Sequence, residues 1–353
     1  MAKIILIFIF SFPIWLQAQK INNDSVRYLL PDYFAGQIAI KKDSNFIYTE
    51  NFGPKERTFG TLINDSTVFN IGQISHTIVH YFITNLVSLG QIKTTDKVST
   101  YINNFPYKDI QIKHLLEHQS GLPLSYVKLY HRKVYNNWNL KLTERETRFN
   151  NDDILSILIK EKPKLKFYPG DSTEYSDLNY LILTSLIEKV TFSTLRNFTS
   201  KTFKNRHFNF QPILSANKDS ISNGALGYRV LTDSSFHICG NLATRGMPFD
   251  DGTYGNQHIY LSAKNLTLWG QFILENNQID SLKDNPTKEI LGGIKFDTEL
   301  QVILKQGSFG ATSSILIISP NNGLIIAINS TAFNPLKNGK EFHKLINYLR
   351  KIN

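Results

Sequence analysis

The chain has 353 residues, of which 41% are hydrophobic and 12% aromatic, and this composition excludes a disordered or collagen-like protein. Its formal charge is +10, from 39 basic and 29 acidic residues, but the charges are interspersed and form no tail of the kind that binds nucleic acid. The single cysteine, Cys239, excludes an internal disulfide and argues against a cysteine-based metal site. We therefore expect no nucleic-acid partner, no metal and no cofactor.

The first 18 residues have the pattern of a secretory signal peptide. Lys3 gives a basic start, a short apolar stretch follows, Pro13 interrupts it, and Ala18 offers a small residue at the cut. Leu16, the third residue before the cut, is larger than the residue usual there, so an uncleaved anchor is the alternative to cleavage after Ala18. No later apolar run reaches membrane length, so we expect a secreted or periplasmic protein without a stable membrane span after cleavage.

Hydrophobic periodicity predicts a mixed set of elements. In chain order they are a hairpin over 34–52, a buried helix over 74–89 ending at Gly90, a short helix over 110–118, helices over 175–190 and 262–275, a hairpin over 313–329 and a helix over 341–352. Residues 124–168 are polar and predict a variable surface region. Sheet material at both ends indicates an α+β fold in which the terminal segments share one antiparallel sheet flanked by helices. We expect residues 19–353 to form one domain of two lobes, one of them all-α.

Several segments, in order, carry a family resemblance. They are FAGQIAI (34–40), FNIGQISHTIVHYFITNLVSLGQIKTTDKVSTYI (69–102), HLLEHQSGLP (114–123), PGDSTEYSDLNYLILTSLIEKVT (169–191), YGNQHIYLSAKNLTLW (254–269) and KQGSFGATSSILIISPNNGLIIAINST (305–331). Together they resemble the serine β-lactamase and D-alanyl-D-alanine peptidase superfamily, closest to its class C β-lactamase-like branch. The resemblance covers about residues 30–335 and implies the β-lactamase/transpeptidase-like fold.

The resemblance implies that the catalytic S-x-x-K motif has degenerated in this chain. A serine nucleophile and a lysine one helical turn later are expected at the positions of Gln73 and His76. A glutamine amide cannot form an acyl-enzyme, and a histidine is shorter than lysine and mostly neutral at pH 7. Ser75 does not replace the nucleophile, because two residues along a helix turn its hydroxyl to the far face. Loss of the nucleophile costs about 10⁶ in turnover in a triad enzyme, so ordinary hydrolysis should be absent.

Two further family elements are retained in altered form. Tyr175 stands where the resemblance implies a general base or proton relay, and Asp177 replaces an asparagine that would donate a hydrogen bond to substrate. Lys305 and Gly307 match the H/K-x-G strand, on which Lys305 could bind a carboxylate and Gly307 lets a ligand approach the strand. Ser308 is expected to line the same ligand site, in a turn one residue shorter than usual.

Three interpretations follow from this pattern. The first is a secreted, catalytically inactive member of the β-lactamase-related serine hydrolases that binds a peptide-like or cell-wall-derived ligand. The second is an active serine hydrolase or esterase with a rearranged site, and the third is a structural envelope protein. The sequence names neither the ligand nor the oligomeric state.

Overall fold

A computed structural model describes residues 23–57, 59–124, 150–205, 213–214, 221, 223–230, 235–238, 253–276, 292–332 and 339–350. The predicted signal peptide over 1–18 and Cys239 lie outside these residues. The helices are α1 (Asn23–Leu29), α2 (Ser75–Ser88), α3 (Ile112–Leu116), α4 (Asn151–Glu161), α5 (Asp177–Thr191), α6 (Leu195–Asn205), α7 (Ala263–Glu275) and α8 (Gly339–Arg350), with 3₁₀ turns at Gly72–Ile74 and Val98–Thr100. The strands are β1 (Gly36–Lys42), β2 (Asn45–Phe52), β3 (Phe69–Asn70), β4 (Ile213–Leu214), β5 (Tyr228–Val230), β6 (Phe236–Ile238), β7 (Ile259–Leu261), β8 (Lys295–Asp297), β9 (Val302–Phe309), β10 (Thr312–Ser319) and β11 (Leu324–Ser330).

The main sheet joins the two ends of the chain. Its strand order is β2-β1-β11-β10-β9-β8, and each neighbouring pair is antiparallel. β1 pairs with β11 in a register that runs from Gly36 opposite Ser330 to Lys42 opposite Leu324. The predicted α+β class, with an antiparallel sheet shared by the terminal segments, is therefore confirmed.

Both faces of this sheet are covered, so β10 and β11 are buried along their whole length, and this explains the continuous apolar runs over 315–318 and 324–328. Because successive side chains of a strand point to opposite faces, Ile315 and Ile317 pack with α1 and α8, whereas Leu316 and Ile318 pack with the helical core. α7 crosses the second face, where Trp269 is fully buried. A sheet buried on both faces requires continuous rather than alternating hydrophobic residues.

The predicted buried helix is α2, which runs over Ser75–Ser88 and has no charged residue in its first or last turn. Its residues Ile78, Val79, Phe82 and Ile83 are completely buried against the helical core. Gly90 follows with φ of +68°, a left-handed conformation that suits the glycine after a helix. The helix therefore anchors the residues at its N-terminus in a rigid part of the core.

Two predicted boundaries are corrected by the structure. The helix predicted from Tyr175 begins at Asp177 instead, because the Ser176 hydroxyl accepts a hydrogen bond from the Leu178 N–H and caps it. The turn expected over Ser308–Gly310 also lies later, because β9 continues through Phe309 and the chain reverses at Gly310 and Ala311. Both turn residues have positive φ, the conformation of a two-residue hairpin.

The region over 124–168, predicted as a polar surface, contains a helix with one buried face. α4 is capped by Asn150, whose side chain accepts from the Asp153 N–H while the Asp153 carboxylate accepts from the Asn150 N–H. Its Ile154 and Leu158 side chains are buried in the helical core. The prediction was wrong for this part of the region because a single apolar stripe in a polar segment is enough to pack a helix against the core. Residues 125–149 lie outside the described part.

No helix in the described residues combines the length and apolar character needed to cross a membrane.

Candidate functional site

The candidate site lies where the 3₁₀ turn before α2 meets the end of β9. The two backbones approach so closely that a Cβ at Gly72 would lie 2.2 Å from the Ser308 nitrogen. A Cβ at Gly307 would lie 2.0 Å from the Ile71 carbonyl oxygen, so both positions require glycine. This approach brings Gln73 to the outer edge of β9, where its Oε1 accepts a hydrogen bond of 3.0 Å from the Ser308 backbone N–H.

His76 occupies the first turn of α2 and is completely buried. Its ring stacks face to face on Tyr180 at a centroid distance of 3.9 Å, and Tyr175 lies on it at 5.9 Å. Among the described residues, neither ring nitrogen has a partner in hydrogen-bond geometry. Burial holds the pKa of His76 well below its usual value, with help from the nearby charge of Lys305 and from His118, and the Asn256 backbone opposes the shift only in part. The ring is therefore neutral at physiological pH.

Tyr175 and Asp177 form a second wall of the site. Tyr175 stands just before the cap of α5, is 36% exposed, and its hydroxyl donates a 2.7 Å hydrogen bond to Asp177 Oδ1. Burial, together with the negative charge of Asp177, raises the pKa of Tyr175 far above its ordinary value, while the Gln73 amide acts weakly in the opposite direction. A phenol that holds its proton this firmly is a poor general base at neutral pH.

Lys305 is held by a tight turn above α2. Its Nζ donates to the Gly292 carbonyl at 2.6 Å and to the Gly293 carbonyl at 3.1 Å. Gly292 has φ of +76°, and a Cβ there would lie 2.7 Å from the His76 carbonyl group, so the turn rests directly on the helix backbone. The carbonyl groups are neutral, so the positive charge of Lys305 stays at the site, half-buried.

The structure thus brings together every residue predicted for the site. Gln73, His76, Tyr175, Asp177, Lys305, Gly307 and Ser308 all lie around the meeting point of α2, α5 and β9. Ser75, rejected as a substitute nucleophile, is fully buried, and its hydroxyl has no hydrogen-bond partner among the described residues. No group of three His, Cys, Asp or Glu side chains in the described part of the chain is arranged to hold a metal ion.

The sequence analysis missed a hydrogen-bonded cluster that supports the site, which we name the paired cluster: Ser120, His118, Ser176 and Asn179. The Ser120 hydroxyl donates to Asn179 Oδ1 at 2.6 Å, and Asn179 Nδ2 lies 2.8 Å from His118 Nδ1. The Ser176 backbone N–H also donates to His118 Nδ1, at 3.3 Å. All four residues lie within the two blocks over 114–123 and 169–191, so the signal was present as two short polar motifs.

The sequence analysis also missed Asn256 and His258, which with His76 form what we name the unpaired set. Asn256 and His258 are each 1% exposed, and none of the six side-chain nitrogen and oxygen atoms of the set has a hydrogen-bond partner among the described residues. Burial lowers the pKa of His258 to about 4. Its ring packs edge-on against Phe309 at the end of β9, at a centroid distance of 4.5 Å.

Comparisons with known proteins agree with this architecture. The family model described as Beta-lactamase matches residues 33–210. A penicillin-binding protein of Bacillus subtilis is 27% identical over 165 residues, which cover 47% of this chain and 34% of that protein. Teichoic acid D-alanine hydrolase of Staphylococcus aureus is 28% identical over 166 residues, which cover 47% of this chain and 37% of that protein. The matches therefore span little more than a third of the length of these relatives.

Solved structures extend the likeness to nearly the whole chain. A penicillin-binding protein from Bacillus halodurans superimposes with a TM-score of 0.70 at 18% identity, covering 92% of this chain and 98% of that chain. The D-amino acid amidase from Ochrobactrum anthropi superimposes with a TM-score of 0.69 at 13% identity, covering 94% and 99%. At these identities the likeness establishes the fold.

Proposed function

The chain belongs to the beta-lactamase family, within the superfamily of penicillin-binding-protein-like serine hydrolases. From this premise we propose that it is a catalytically inactive member that binds a peptide-like or cell-wall-derived ligand. The proposal has two parts, loss of the covalent chemistry and retention of a ligand site. Each part depends on different residues and has its own test.

The observation that carries the first part is the side chain of Gln73. It stands at the end of the turn where the family nucleophile belongs, and its amide oxygen accepts from the Ser308 backbone N–H. A carboxamide has no lone pair comparable to that of an alkoxide, so no acyl-enzyme can form at this position. His76 is buried and neutral, and Tyr175 retains its proton, so the described site also lacks an activated base.

The second part depends on the charge of Lys305. A half-buried cation beside an edge of β9 is suited to an anionic ligand end, such as a terminal carboxylate. Two similar proteins are described as a teichoic acid D-alanine hydrolase and a D-amino acid amidase. Peptides that end in a D-amino acid carboxylate are therefore the ligand class we propose for this chain. Asp177 would keep negative groups away from the opposite wall.

The first test is covalent labelling of the purified mature chain. Incubation with a fluorophosphonate or a penicillin, followed by intact mass spectrometry, should give no adduct. One adduct per chain would favour an active hydrolase with a rearranged site, and peptide mapping would identify the nucleophile. A mapped adduct on Ser75 would contradict the conclusion that this buried hydroxyl takes no part.

The second test is calorimetric titration with N-acetyl-D-alanyl-D-alanine. Lys305→Ala should weaken binding by roughly ten- to thirtyfold, since a partly desolvated charge pair contributes more than an exposed one. Lys295→Ala removes an exposed lysine from the neighbouring strand β8 and should leave the affinity unchanged. Absence of binding to the wild type, or equal binding to wild type and Lys305→Ala, would favour a structural envelope protein instead.

We also propose secretion through residues 1–18, with cleavage after Ala18. The supporting feature is the basic start and short apolar stretch before a small residue. Intact mass of the protein recovered from an expressing cell envelope should correspond to a chain that begins at Gln19. Recovery of the full-length chain in the membrane fraction would support an uncleaved anchor.

A further inference from the structure

The Ser308 backbone N–H that Gln73 holds is a hydrogen-bond donor at the edge of a strand. β8 pairs with β9 only from Val302 to Leu304, so none of the strands that the structure describes pairs with β9 on that side at Ser308. A donor at such an edge is the kind of group that a ligand carbonyl or carboxylate binds. Here the oxygen that binds it comes from the protein itself.

The backbone geometry around this donor does not depend on the Gln73 side chain. It is set by the close approach of the glycines, with Gly72 against Ser308 and Gly307 against Ile71. Thr312 adds a hydroxyl hydrogen bond of 3.1 Å to the Asn70 carbonyl, which ties the same two segments together. Removal of the Gln73 side chain should therefore uncover the Ser308 N–H without moving it.

The other end of the Gln73 amide faces the opposite wall. Its N–H group lies close enough to the phenol oxygen of Tyr175 to lower the pKa of that phenol, and the Tyr175 hydroxyl in turn donates to Asp177. One carboxamide thus connects β9 with the start of α5. It makes the contacts that a ligand amide lying between these walls would make.

We propose that the side-chain amide of Gln73 is a built-in occupant of an acyl-binding position at Ser308, and that the acyl carbonyl of a ligand whose terminal carboxylate lies at Lys305 binds there by displacing it. This inference rests on the proposed function, because it names the point at which the D-amino acid end would bind. Binding by displacement is weakened by the fraction of time that the internal group occupies the donor. Gln73 then sets the affinity of the site and not only the absence of catalysis.

The test compares N-acetyl-D-alanyl-D-alanine binding to the wild type, Gln73→Ala and Gln73→Glu by calorimetry. Gln73→Ala should bind about five- to tenfold more tightly, because a single hydrogen bond of ordinary strength no longer competes. Gln73→Glu should bind more weakly than the wild type, since its carboxylate both accepts from the Ser308 N–H and repels the ligand carboxylate. Gln91→Ala, which removes an exposed glutamine beyond the end of α2, is the matched control and should bind as the wild type does.

The outcomes separate this inference from the proposed function. If the wild type binds and a folded Gln73→Ala binds equally or less tightly, the displacement inference is wrong and the proposed function stands. If only Gln73→Ala binds, the inference holds and the native chain is not a receptor for this ligand. If neither binds, both fail. Should Gln73→Ala not fold, Gln73→Asn serves in its place, because an amide shorter by one methylene does not reach Ser308.

Discussion

Two groups of buried polar side chains flank the same site, and they differ in how their hydrogen bonds are satisfied. In the paired cluster the Ser120, Asn179 and His118 side chains bond to one another. In the unpaired set His76, Asn256 and His258 are equally buried, yet no described residue bonds to their side chains in standard geometry, and only the Asn256 and Thr253 backbones lie near the His76 and His258 rings. Buried polar groups are nearly always paired because an unpaired one costs about 1–3 kcal/mol. The comparison indicates that the framework under the site is optimised for stability and that the site itself is not.

The two groups differ in hydrogen bonding because they lie in different parts of the fold. The paired cluster holds α5 to the loop after α3 and needs only fixed geometry. In the unpaired set, His76 stands at the position where the family resemblance implies a lysine, and its ring stacks on Tyr180. The Asn256 backbone lies beside that ring, and His258 packs against Phe309 at the end of β9.

The largest expected effect is acid destabilisation from the buried histidines. Burial lowers the pKa of His80 and His258 to about 4 and holds that of His76 well below its ordinary value, against about 6.5 in the unfolded chain. Between these pH values the histidines bind protons in the unfolded state but not in the folded state. The free energy of unfolding should therefore fall as the pH drops from about 6.5 towards 4. Each histidine should contribute up to about 1.4 kcal/mol per pH unit.

Urea denaturation at several pH values between 5 and 6.5 measures this slope. His258→Asn removes one of the three groups at a left-handed position that asparagine tolerates, and should reduce the slope by about a third. A free energy of unfolding that does not change with pH across this range would contradict the prediction. It would mean that other groups or water molecules stabilise the protonated histidines in the folded state.

The second prediction contrasts one asparagine from each group. Asn179→Leu should destabilise the protein by about 2–4 kcal/mol, because it removes the buried hydrogen bonds that Asn179 makes with Ser120 and His118. Asn256→Leu should change stability by less than about 1 kcal/mol, since it removes a buried amide that has no hydrogen bond to lose. Thermal and chemical denaturation of the two variants measures both values. Equal losses would remove the distinction between the two groups.

The smallest effect is expected from restoring the catalytic pair. Gln73→Ser with His76→Lys supplies a nucleophile and a neighbouring amine, but the lysine would be buried beside the charge of Lys305, with Asp177 unchanged. We expect slow, partial fluorophosphonate labelling, with turnover remaining several orders of magnitude below that of an intact triad enzyme. Gln73→Ser alone, the control, should label still less. If the double variant turned over substrate as fast as an active member of the family, the rest of the site would have to be intact.

Short-range patterns predicted most of the fold. The hairpin β1-β2 was predicted from its alternating pattern. The core helix α2 and the hairpin β10-β11 were predicted from long apolar stretches that end at, or are interrupted by, a turn residue such as Gly90 or Gly323. α4 was missed because its apolar stripe is short and lies in a polar segment. The start of α5 was misplaced by two residues because a tyrosine before a serine cap looks like part of the helix.

The candidate site was predicted residue by residue, but not its contacts. The family resemblance implied that Gln73, His76, Tyr175 and Lys305 are neighbours. It did not indicate that the Lys305 ammonium bonds to the Gly292 and Gly293 carbonyls or that Gln73 reaches Ser308. These contacts join residues 12 to 235 positions apart in the chain, and spacing carries no information about them.

The sequence by itself determined that Gln73 and His76 stand where the family resemblance implies a serine and a lysine, because residue identity needs no coordinates. It also determined the order of the elements, since helical and strand periods are local properties of the chain. Tertiary structure alone decided that His76 is neutral, because desolvation depends on the rings and turns that surround it. It alone decided that the Gln73 amide bonds to the edge of β9, because two glycines must let separate backbones approach before the side chain can reach.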